Sequence, residues 1–99
     1  MGAVAETNFW MTRRLRDAGR GDAAACFDLG MAFSSGTEGA ELDLVEAHKW
    51  FNLASVWGEE RGSELRIEIS EEMTAREIAE AQRGARAWLA ANGGTRRVA

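Results

Sequence analysis

Apolar positions recur every three to four residues along most of the chain, and glycines interrupt the pattern at intervals of about one helix. Residues 5–18 place Met11, Leu15 and Ala18 on one face of a first helix, which Gly19-Arg20-Gly21 stops. Asp22 has the chemistry of an N-cap, a carboxylate that accepts from the free N–H groups of the next turn. It opens a second helix over 22–35, with Ala25, Leu29 and Phe33 at i, i+4 and i+8, and Gly36 ends it. After an acidic, glycine-containing loop, Asp43 is expected to cap a third helix reaching Trp57, with Glu46 as its capping-box partner. The apolar band of that helix, Ala47, Trp50, Phe51, Ala54 and Trp57, is too wide for a single contact surface and predicts neighbours on two sides. Gly58 closes it. A fourth helix over 59–73 turns Leu65, Ile69 and Met73 inward. Thr74-Ala75-Arg76-Glu77 reads as a capping box heading a fifth, whose inner face is Ile78, Ala81, Ala85, Trp88 and Leu89 and which ends at Asn92-Gly93-Gly94. The expectation is an all-α fold of five antiparallel helices joined by short loops.

Composition narrows the function classes. The 99 residues suffice for one domain, and the absence of proline agrees with helices throughout. A single cysteine excludes an internal disulfide framework and a multi-cysteine zinc site. The net charge of −4 argues against a broad nucleic-acid footprint. No run approaches the roughly 18 apolar residues of a membrane span, and the start, Met-Gly-Ala-Val-Ala-Glu, has no secretory apolar core, so a cytoplasmic chain is expected.

The pattern also repeats. Ala47-x2-Trp50-Phe51 returns as Ala85-x2-Trp88-Leu89 at an offset of 38, and Gly21 returns as Gly58 at an offset of 37. Periods of this length mark stacked helix pairs, in which each unit covers its apolar face only against the next. Small alanine beside large tryptophan suits such stacking, the alanine allowing close approach and the indole filling the gap one turn later.

Ala25-x3-Leu29-Gly30-x2-Phe33-x2-Gly36 followed by Asp43-x3-Ala47-x2-Trp50-x3-Ala54-x3-Gly58 resembles one full Sel-like repeat, a relative of the tetratricopeptide repeat with a longer, glycine-containing loop. The resemblance covers about 37 consecutive residues; a plain tetratricopeptide repeat has a period of 34 and a tighter turn. It implies an α–α superhelix divided into an N-terminal capping helix (1–20), a full repeat (21–57), a degenerate C-terminal repeat (58–94) and a tail (95–99). In that second unit Gly62 stands in place of the first-helix alanine, and Arg66-Ile67 in place of Leu-Gly. The run from Met73 to Arg83 is similar to the ends of short bacterial members. Members of the family mostly mediate protein–protein contacts in signalling, secretion or envelope processes, so the resemblance implies a scaffold with no catalytic residues, metal or cofactor. A cysteine-rich branch associated with β-lactams pairs cysteines within each repeat. Cys26 alone does not fit that pattern.

Few residues suggest chemistry of their own. His48, the one histidine, has no nucleophile at a readable spacing and reads as a surface residue, while Cys26 reads as a small buried hydrophobe. Glu68, Glu71 and Glu72 form a solvated acidic face without a histidine to complete a metal site. Arg13, Arg14, Arg16 and Arg20 form one basic cluster without aromatics interleaved on the same face, better suited to an acidic protein segment than to nucleic acid. If the helix pairs stack as in the family, Phe27 and Met31 on the second helix face its concave groove, where they and Trp10 would anchor an apolar peptide. The expected partner is a protein or peptide, or a second copy forming a homodimer over Phe9, Trp10 or Trp57. A small enzyme, or accessory domain of a hydrolase, and a homo-oligomeric structural protein are the alternatives.

Overall fold

The computed structural model describes the backbone of residues 2–93 and the side chains of residues 9–92; the expected tail at 95–99 lies outside the described residues. Among them the chain is all-α, as expected: α1 (Gly2–Gly19), α2 (Ala23–Ser35), α3 (Leu44–Val56), α4 (Glu60–Ser70) and α5 (Ala75–Trp88), followed by a π-helical turn, Leu89–Gly93.

Local chemistry sets most helix ends. The Asp22 carboxylate accepts from the N–H groups of Ala24 and Ala25 at 2.9 and 3.2 Å. Gly36 takes up a left-handed φ of 68° and its N–H donates to the Ala32 carbonyl at 2.8 Å, a C-cap that side-chain-bearing residues adopt only with strain. The capping box at the head of α5 is complete: Glu77 N–H donates to Thr74 Oγ1 at 3.1 Å, and Thr74 N–H donates to Glu77 Oε1 at 2.8 Å.

At two ends the structure corrects the sequence reading. Asp43 caps α3 by accepting from Glu46 N–H at 3.2 Å, but Glu46 does not return the bond. The Asp43 N–H already donates to the Phe33 carbonyl at 2.9 Å across the hairpin. The Glu46 carboxylate instead accepts from Trp50 Nε1 at 3.1 Å and pairs with Lys49 at 3.1 Å. The fourth helix stops at Ser70, short of Met73. There the Ser70 hydroxyl donates to the Arg66 carbonyl at 2.7 Å, and the N–H groups of Glu71, Glu72 and Met73 each reach back only three residues, tightening the chain into a turn.

α3 is the centre of the molecule. It packs against α2, α4 and α5, whereas α1 lies on α2, and α4 and α5 lean on α3 far more than on each other. The core joins Ala18 of α1, Ala25, Cys26 and Leu29 of α2, Trp50, Leu53 and Ala54 of α3 and Ala85 of α5. Two glycines permit the closest approaches. A Cβ on Gly30 would stand 2.5 Å from the Phe51 ring, and one on Gly62 would run into the Phe51 carbonyl oxygen. Gly62 is thus the buried contact of α4 on α3, while Leu65, Ile69 and Met73 are only half-buried.

Enclosure of α3 also overturns the surface reading of His48. Flanking the apolar band of a helix covered by three neighbours, it is 1% exposed, and among the described residues neither ring nitrogen meets a hydrogen-bond partner. Burial, and then the nearby Arg66 guanidinium, hold its pKa below the usual histidine value.

Candidate interaction site

Spacing along α1 puts two aromatics and two arginines on one face. Phe9, Trp10, Arg13 and Arg14 are i, i+1, i+4 and i+5, and together they line a cleft of about 230 Å³. The Arg13 guanidinium lies 5.6 Å from the Phe9 ring centroid. The sequence reading of an arginine cluster without interleaved aromatics is therefore corrected, since helical neighbours are three and four residues apart. Arg14 donates to Asp28 at 3.0 Å and to Asp17 at 2.7 Å. The first of these bonds ties α1 to α2, although such part-exposed pairs contribute only about 0–1 kcal/mol each.

Trp10 also lines a second cleft, of about 310 Å³, with Asp28, Met31, Ala32, Thr37 and Glu38. Of the three residues expected to anchor a partner, Trp10 and Met31 therefore line the same cleft, and Met31 is 42% exposed. Phe27 is set apart. Its ring lies 5.7 Å from that of Phe51, and the Arg61 guanidinium covers it at 4.4 Å. Arg61 is held in place by Glu59, whose carboxylate accepts from its Nε and Nη2 at 3.0 and 3.1 Å. The Arg61 hydrogen bonds lower the Glu59 pKa, and the same bonds raise that of Arg61.

The repeat positions fall into three groups. Ala25, Leu29, Gly30, Ala47, Trp50, Ala54 and Ala85 are buried, and Phe33 and Trp88 are half-buried against the core. Gly36 and Gly58 are exposed at helix ends with φ of 68° and 110°. Cys26 is fully buried, and burial above all pushes its thiol up to about 12, which leaves almost no reactive thiolate. Glu68, Glu71 and Glu72 all face solvent.

A third and larger cleft, about 510 Å³, escaped sequence reasoning. Met11 and Leu15 of α1, Phe33 of α2, Leu42 of the loop, Trp50 of α3 and Trp88 of α5 supply its apolar lining, with Glu41, Asp43, Glu46 and Lys49 around them. The matched offset of Trp50 and Trp88 was the available signal, but it does not say which other elements stand opposite the pair.

No protein-family model matches the chain, and no curated protein or solved structure matches it. Among the described residues, no helix is long and apolar enough to cross a membrane.

Proposed function

We propose that the chain is a Sel-like helical-repeat module of a bacterial cytoplasm, and that it works as a protein–protein interaction scaffold by holding a partner segment on the face shared by α1 and α2. The observation that carries this reading is that Trp10 and Met31, from two helices, line one cleft, which leaves Met31 42% exposed. An exposed methionine that shares a cleft with an indole offers an adaptable apolar contact, and apolar anchors of this kind seat peptide segments in helical grooves. Asp28, Glu38, Arg13 and Arg14 around the same clefts supply a polar rim that sets orientation. Support for the repeat assignment comes from the contact between Trp50 and Trp88, the residues that the repeat offset pairs.

The test places a photo-crosslinking residue at Met31 or at Gln82, an exposed position on α5. Met31 should trap a protein in the native cell that Gln82 does not. The purified partner should then bind the wild-type chain about tenfold or more tightly than Met31→Asp or Trp10→Ser, the loss expected on removing an interface anchor. The same proteins trapped at both positions, or unchanged affinity in both variants, would overturn the proposal.

A further inference from the structure

The largest of the three clefts shares no lining residue with the Trp10–Met31 face. Its floor is the indole pair. Trp50 and Trp88 meet edge to face with centroids 4.8 Å apart, and the Lys49 ammonium sits 4.7 Å from one ring centroid and 5.9 Å from the other. Glu46 lies 3.1 Å from that ammonium. The chain has thus seated one of its own cations on the indole pair with a carboxylate beside it, an arrangement that favours a cation on an apolar surface.

The charge at the rim is not balanced. Glu41, Asp43 and Glu46 line the groove against the single ammonium of Lys49, a surplus of two negative charges on a chain whose net charge is −4. Between Glu41 and Asp43 stands Leu42, 63% exposed at the edge of the cleft. An apolar side chain held between two acids meets an incoming apolar residue that has cationic neighbours. The volume is in the range of ligand sites, but the groove is open along the loop, which suits an extended segment better than an enclosed small molecule.

We infer that this groove docks a basic, partly aliphatic peptide segment. Its lysine or arginine lies against Trp88 and the Glu41–Asp43–Glu46 rim, beside the Lys49 ammonium that already covers Trp50, and its aliphatic side chains lie on Leu42 and Phe33. The inference stands independently of the Trp10–Met31 reading, because the two faces use different residues.

The experiment titrates the ¹⁵N-labelled chain with acetyl-Leu-Lys-Leu-Arg-Leu-amide, and separately with the same peptide carrying glutamate at both basic positions. The indole N–H signals of the tryptophans report the location. The basic peptide should shift Trp50, whose N–H donates to Glu46, and Trp88, while leaving Trp10 in place. Binding should weaken about three- to tenfold in Glu41→Lys, a charge reversal on an exposed loop residue, and it should weaken as salt rises. Glu72→Lys, exposed and outside the groove, should bind as the wild type does. Several results would overturn the inference: no shift up to about 1 mM peptide, equal shifts with the acidic peptide, equal weakening in both charge reversals, or shifts at Trp10 in place of Trp50 and Trp88. The last result would put the peptide on the α1–α2 face.

Discussion

Trp50 and Trp88, 38 residues apart in the chain, meet edge to face with ring centroids 4.8 Å apart and planes at 71°. The positive edge of one indole against the negative face of the other is the geometry aromatic pairs prefer. The two residues differ in enclosure: Trp50 is 1% exposed, whereas Trp88 is half-buried.

Removal of the deeper indole should therefore cost more. Trp50→Ala is expected to lose about 3–5 kcal/mol, the usual range for emptying a buried aromatic site, and Trp88→Ala distinctly less. A double-mutant cycle in urea should give a coupling of about 0.5–1.5 kcal/mol between them. A Trp50→Ala loss below about 1 kcal/mol would contradict its place in the core.

Gly30 lies under the Phe51 ring, and helix propensity and fit oppose each other there. Alanine forms helices about 1 kcal/mol better than glycine, yet its methyl would stand 2.5 Å from the aromatic carbons. Overpacking outweighs propensity, so Gly30→Ala should destabilise by about 1–3 kcal/mol, and Phe51→Leu in the same chain should recover part of that loss. Gly84→Ala provides the contrast. Its nearest neighbour is the flexible Lys49 side chain at 3.1 Å, which can move aside, so the change should be neutral or stabilising. Chemical denaturation of the three variants checks the close approach of the Phe51 ring.

His48 confers an acid sensitivity with a definite sign. Its folded-state pKa is lowered, by burial first and by Arg66 second, so the imidazole stays neutral where the unfolded chain, near 6.5, takes up a proton. The stability this represents is full above about pH 6.5 and is lost as pH falls toward the folded-state value, at up to about 1.4 kcal/mol per pH unit. Urea midpoints measured from about pH 8 down to about pH 5 should fall for the wild type and stay flatter for His48→Leu, which has no nitrogen to protonate. Equal falls in both would assign the acid sensitivity to the carboxylates.

Of the residues proposed as anchors, the sequence grouped Trp10 and Met31, which line one cleft, but it did not separate Phe27 from them. Arg61 comes from α4, and nothing in the spacing of α2 announces that a guanidinium from the next hairpin will cover a phenyl ring. The Phe9–Arg13 and Trp10–Arg14 neighbours, by contrast, were readable from i+4 spacing alone.

By itself the sequence determined what acts within a turn or two of helix. The five helices, the Asp22 and Asp43 caps, the Gly36 terminus, the Thr74–Glu77 box and the inner face holding Ala47, Trp50 and Ala54 all follow from 3.6-residue periodicity and local hydrogen bonding. Tertiary structure decided whatever needs a second element. Three neighbours around α3 turned His48 from a surface position into a buried one, and the Phe33 carbonyl, arriving across the hairpin, took the N–H that Glu46 would have capped. The acid-rimmed groove required α1, α2, the loop, α3 and α5 to converge. Periodicity says which face of a helix is apolar, but distances between helices are set by the side chains that meet there, and those partners are remote in sequence.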